Sequence, residues 1–324
     1  MISTFTSRDR RAWLAPLAFA ACLACAASPK PGTAPPPRAT PPSTDWPRSV
    51  LDTFFDDAFT TLDGRRPDFN ALQAGSEPRP GGGGGSAPLP GGGFAWSTLV
   101  SEETLTDEIK DTKAALAKAI ATPSTFKGGG YNEARVGFGT VAMSFGVIAA
   151  YDKDIRWKKQ AEQARDLFAR VGSNCKVGTD QSLAESKARV ADLEALLEGN
   201  PIQAKVDREE DFVWSQVAGR PSLMSRLEEA DARLAAAIAS KGDFSKQADV
   251  ALHEAELVAL IGEVIQQKDY EYHDDDTYRG YASAMRDAAV KARDAATKND
   301  YEAARAAVGA MQKSCNDCHG DYRG

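Results

Sequence analysis

The sequence predicts an all-α protein, and three observations carry that expectation. From Phe94 onward apolar residues recur at three- and four-residue spacing. Alternating apolar and polar runs rich in β-branched residues are missing from that stretch, and alanine with Glu, Lys and Arg, all strong helix formers, dominates it. The expected plan is a leader over residues 1–25, a disordered tether over 26–95, a helical bundle over 96–200 and a four-helix bundle over 201–324.

Arg8, Arg10 and Arg11 precede an uncharged run from Ala12 to Ser28, the basic start and short apolar core of a secretory signal, too short for a membrane span. Cys22 and Cys25 each loosely match the position at which a bacterial lipoprotein is cleaved and acylated. Neither has the preferred aliphatic residue three positions earlier, so a lipid anchor and ordinary cleavage both stay open. The expected location is the periplasm or cell envelope, with the membrane reached only through such an anchor. Proline and alanine fill residues 26–42, and proline and glycine fill 75–93, compositions that bury too little apolar surface to offset their ordering entropy. Between them residues 48–63 carry Val50, Leu51, Phe54, Phe55, Phe59 and Leu62 at helical spacing, a candidate short helix.

Residues 101–198 read as four helices, one of them the uncharged run from Val136 to Tyr151, which is a buried helix by length. Leu116 to Ala121 aligns with Leu234 to Ala239, and Ala161, Arg165 and Asp166 fall on Ala282, Arg286 and Asp287, a faint internal repeat. The role expected for this half is packing or partner binding.

The last hundred residues divide into four more helices. The first, from Pro221 to Ser240, has the stripe Leu223, Leu227, Ala230, Leu234 and Ala237. The second, Ser245 to Lys268, has a core face of Val250, Leu257, Leu260, Ile261 and Val264, and the polar loop Asp269 to Asp276 follows it. The third, Thr277 to Thr297, buries Tyr278, Tyr281, Ala282, Met285, Ala288, Ala289 and Ala292. Asn299 or Asp300 caps the fourth, where Tyr301, Ala304, Val308, Met311, Cys315, Cys318 and Tyr322 share one seam.

That seam ends in Cys315-Asn316-Asp317-Cys318-His319, a C-x-x-C-H run. Two cysteines three apart on one helix face can each form a thioether with a haem vinyl group, and the following histidine can bind the iron, so the expected cofactor is one covalent haem c. A redox disulfide usually opens a helix in a βαβ setting, whereas this pair closes one at the C-terminus. A zinc site needs about four ligands, and the only other candidates are His253, His273 and Cys175, with no second C-x-x-C. At an offset near 120 the first half offers Ala195, Glu198 and Gly199 at these positions, so it cannot hold haem c.

A four-helix bundle whose single C-x-x-C-H stands at the end and continues as Gly320-Asp321-Tyr322-Arg323 resembles the cytochrome c′ family, the class II cytochromes c, over residues 204–324. The resemblance implies thioethers from Cys315 and Cys318, His319 as proximal iron ligand and Arg323 near the proximal haem face. It also implies a distal face against Arg220-Pro221-Ser222-Leu223-Met224. An apolar side chain there leaves a five-coordinate iron that binds small gases, and a methionine gives a six-coordinate electron carrier like the cytochromes c556. Leu223 lies on the core stripe and Met224 about 100° round the helix, so Leu223 is the expected lid. Met285 and Met311 read as packing, His253 as a boundary residue, His273 as part of a solvated acidic loop, and Cys175 as a lone thiol.

A net charge of −7 with no basic stripe excludes nucleic acid as a partner. No catalytic constellation can be assembled beyond the haem, so the expected partners are a diatomic ligand or a redox protein, with a homodimer as a candidate assembly. An envelope adaptor whose haem is a sensor or a vestige is the alternative class.

Overall fold

Four of the long helices begin where a short polar side chain takes up a free N–H of the first turn. In the computed structural model, which describes residues 94–204 and 212–323, Ser101 accepts from the Thr104 N–H at 3.1 Å and opens α1, Glu102–Ala119. α2 spans Tyr131–Ala150 and α3 Ala161–Asn174. Thr179 and Ser182 form a reciprocal capping box at the start of α4, Asp180–Leu197. The second half contains α5, Arg220–Ala237, and α6, Ala248–Val264. Asp275 caps α7, Asp276–Thr297, and Asp300 caps α8, Tyr301–Tyr322. No described residue lies in a strand, so the all-α expectation holds. The leader, Cys22, Cys25, the tether up to residue 93 and the candidate helix over 48–63 lie outside the described residues, while the tether's last two expected residues are ordered, Ala95 buried and Phe94 against Trp96.

Three details differ from the sequence reading. The helix expected from Ser245 is preceded by a separate helical turn, Lys241–Lys246, because the Ser240 hydroxyl accepts from the Asp243 N–H at 3.1 Å and restarts the helix there. Val250, expected in the core, is 39% exposed, in the first turn of α6. Tyr281 is only half-buried, and its hydroxyl reaches the surface to donate to Asp321 at 2.8 Å. The run from Val136 to Tyr151 is a buried helix as expected, and no described helix is long and apolar enough to cross a membrane.

In the first half α2 packs on α1 and α3; in the second, α7 packs closely on α6 and α8. The two halves share one apolar core, which runs from Phe138, Phe145 and Phe168 through Leu223 and Ala230 to Leu260 and Met311. α5 joins the halves: it meets α2 of the first and α6 of the second, and only a sparse set of contacts joins it to α8.

A buried charge cluster also crosses between the halves. Arg226 of α5 donates to both carboxylate oxygens of Glu108 of α1, at 2.7 and 2.9 Å, and its Nη2 lies 2.8 Å from Glu254 Oε2 of α6. His253 Nε2 lies 3.1 Å from Glu108 Oε2. Burial alone would raise the Glu108 carboxyl, but the Arg226 and His253 hydrogen bonds outweigh it and hold it at about 2. Burial alone would lower His253, and the Glu108 bond reverses that, so its pKa is raised.

Candidate functional site

The seam of α8 places Ala304, Val308 and Met311 in the core and carries on into Cys315, Cys318 and Tyr322, all three half-buried. Both thiols are free, and the Cys315 Sγ lies 3.5 Å from the Met285 Sδ of α7. Burial, with the nearby carboxylate of Asp231, pushes the Cys315 thiol up to about 11. Burial also raises Cys318, against the opposing charge of Arg220. His319 is exposed, one residue further round the last turn. Arg323 is exposed at the C-cap, its backbone N–H 3.3 Å from the His319 carbonyl.

Across from this seam lies one stripe of α5: Arg220, Met224, Leu227 and Asp231, spaced four, three and four residues apart. Asp231 accepts from Gln312 of α8 at 2.8 Å, and Arg220 lies over the ring of Tyr278, which Tyr322 of α8 meets edge-on, so both ends of the stripe lie beside the cysteine helix. Met224 and Leu227, between them, are half-buried. Leu223 is one position round and fully buried in the shared core.

The rim is aromatic. The Arg220 guanidinium stacks 5.2 Å over Tyr278 and 5.4 Å over Tyr272, and Tyr322 meets Tyr278 edge-on at 5.5 Å. Two groups here stand out because nothing satisfies them. The Tyr278 hydroxyl and the Arg220 Nε are both buried and without a hydrogen-bond partner, which is rare for buried polar atoms. Sparse α5 to α8 packing, paired thiols against a thioether, and two orphaned donors at one edge fit a flat apolar molecule with an acidic margin. Haem has that form, so the residues present suit it. Among the described residues no cluster of His, Cys, Asp and Glu could by itself hold a metal ion.

The sequence reading brought Cys315, Cys318 and His319 to one helix end, and Leu223 and Met224 to the opposite wall. It took Tyr278 for plain core, since spacing gives burial but not whether a hydroxyl finds a partner. The His273 Nδ1 lies 2.9 Å from the Tyr270 carbonyl of its own loop. Cys175 is buried, 3.4 Å from the Ser186 hydroxyl.

A family model described as Cytochrome C′ matches residues 262–323. The C-terminal region, from the end of α6 through α7 and α8, is thus similar to the Cytochrome C′ family, a likeness that implies haem binding. Neither a curated protein nor a solved structure matches the chain.

Proposed function

We propose that this is an exported c-type haem protein of the cell envelope, in which Cys315 and Cys318 form the thioethers, His319 binds the iron, and Arg220 and Tyr278 meet the acidic edge of the haem. The observation that carries the reading is the half-buried pair of free thiols on the α8 seam, inside the matched region and beside two orphaned donors. Bound haem supplies a one-electron couple and a place for a small diatomic ligand. The protein's own residues do the rest. Met285, Leu227 and the tyrosines exclude water from the apolar body, and the Arg220 charge offsets the carboxylates that such a group brings.

The choice between gas binding and electron transfer rests on which α5 side chain faces the iron. Met224 stands on the stripe whose two ends, Arg220 and Asp231, reach toward α8, whereas Leu223 is committed to the core. This favours a methionine thioether at the sixth position and an electron carrier; the five-coordinate, gas-binding protein with Leu223 as lid is the second reading. The ferric optical spectrum of the haem-loaded chain separates them. A methionine-to-iron charge-transfer band that disappears in Met224→Leu, with carbon monoxide binding gained, supports the first. A high-spin spectrum unchanged by that substitution supports the second. Haem that extracts freely into acid acetone defeats both.

A further inference from the structure

The two halves reproduce each other in detail at nearly constant offset. Phe94 and Trp96 return 118 positions later as Phe212 and Trp214. Both pairs have ring centroids 5.0 Å apart, at interplanar angles of 66° and 69°. Tyr151, after α2, donates to the Val100 carbonyl at 2.7 Å, and Tyr270, after α6, donates to the Ala218 carbonyl at 2.7 Å. In the third helix of each half an arginine Nε donates to the next residue, Arg165 to Asp166 at 2.8 Å and Arg286 to Asp287 at 2.9 Å. Each of these arginines lies against a second-helix glycine: a Cβ on Gly146 would come 3.5 Å from Arg165, and one on Gly262 would come 3.1 Å from Arg286. The fourth helix is tied to the first at matching positions, Glu194 to Lys113 and Gln312 to Asp231.

The contacts between the halves are reciprocal. Trp96 packs on Trp214 with centroids 5.5 Å apart, and Glu108 takes two bonds from Arg226; each contact joins a residue to its own counterpart 118 positions on. α2 meets the start of α5, where a Cβ on Gly139 would lie 3.4 Å from Ser222. In return α6 meets the start of α1, where Glu256 accepts from Ser101 N–H at 2.9 Å and from its hydroxyl at 2.7 Å. A residue touches its own equivalent only near a two-fold axis, and a contact returned with roles exchanged is the mark of an isologous interface.

We propose that the chain is a fused pseudo-dimer: α1 and α2 of the haem-free half occupy, in cis, the face of α5 and α6 that a second copy of the haem-bearing half would otherwise take. Charge selects this occupant. Two identical second halves would set Arg226, each beside its own Glu254, against Arg226 at the axis, whereas the first half presents Glu108 there, which also meets His253 of α6. A like-charge pair excludes the symmetric partner and an opposite pair admits the fused one. The first half thus holds the α5 wall that carries Arg220 and Met224, and a protein with one haem motif is complete as a monomer. The repeat and its interface stand independently of haem attachment.

The test uses the full haem-loaded mature chain, with sedimentation mass and hydrogen exchange as readouts. The expected mass is that of one chain. Glu108→Arg, which recreates the excluded pair, should speed exchange by about tenfold or more in α1, α2, α5 and α6 together. The shape-preserving Glu108→Gln should give the same distribution at smaller amplitude, which keeps the test decisive if the arginine variant fails to fold. A dimer held through α5 and α6, or faster exchange confined to α1 and α2 in both variants, overturns the proposal.

Discussion

The fourth helices of the two halves, α4 and α8, differ at equivalent positions, and the difference bears on the proposed haem site. In α4, Leu193 and Leu196 are completely buried, and the helix end is closed by the Trp157 indole, which donates to the Leu196 carbonyl at 2.9 Å. At the same offset α8 has Met311 and Ser314, then Cys315 and Cys318 left half-buried, with the Arg220 Nε and the Tyr278 hydroxyl unsatisfied opposite. Interiors pack densely and buried polar atoms find partners. At this place the first half is closed by Leu196 and the Trp157 bond, while the second leaves two thiols half-buried beside the Arg220 Nε and the Tyr278 hydroxyl.

The largest expected effect breaks the join between the halves. Arg226→Leu leaves Glu108 and Glu254 buried without their shared partner and should cost about 3–5 kcal/mol in chemical denaturation of the full chain. A loss under about 1 kcal/mol would show that the cluster carries no load between the halves.

The fourth helices themselves supply a sharper contrast. Leu196→Ala in α4 should destabilise by about 2–5 kcal/mol, by lost burial and the cavity left behind. Ser314→Ala, at the equivalent place in α8, should cost only about 1 kcal/mol, for the hydrogen bond to the Tyr281 carbonyl at 2.8 Å. Equal losses at the two positions would remove the packing difference.

Acid probes the same join without mutation. Glu108 sits at about 2 in the folded protein against an ordinary 4.5. Its contribution is therefore present above 4.5 and lost as pH falls toward 2, on the order of 3 kcal/mol in full. Glu108→Gln should flatten that limb of the stability curve. His253 works in the opposite sense, since its raised pKa gives stability present below its ordinary value and lost as pH rises through the folded one. A stability curve between pH 2 and 5 that is the same with and without the Glu108 carboxyl would contradict the assignment.

The smallest effect concerns the orphaned hydroxyl. Tyr278→Phe should be neutral or slightly stabilising in the haem-free chain, because it removes an unsatisfied buried group, and should cost about 1 kcal/mol in the haem-loaded chain. Calorimetry of both forms checks the difference, and a change of the same sign in both would place the hydroxyl outside the haem site.

Much of this was legible in the sequence, for reasons that differ by level. Period and alanine content gave eight helices, since amphipathic spacing is set by the backbone alone. The terminal C-x-x-C-H and its seam gave the cysteines their half-buried face. What escaped depended on long-range partners. Arg226 reads as a surface residue beside the stripe Leu223, Leu227 and Ala230, yet it is 4% exposed because Glu108, 118 positions away, receives it. Val250 fits the apolar pattern but falls on the first turn of α6, where it stays 39% exposed. The repeat appeared only faintly because its strongest carriers, the Phe-x-Trp pairs and the two tyrosine hydroxyl bonds, lie outside the long helices.

The central claim is that the second bundle holds haem covalently where the first is filled by its own side chains. Acid-acetone extraction of the mature chain, made in a host that assembles haem c, tests it most directly. The haem should stay with the polypeptide, and Cys315→Ser with Cys318→Ser should release it; haem that leaves the unaltered chain would contradict the account.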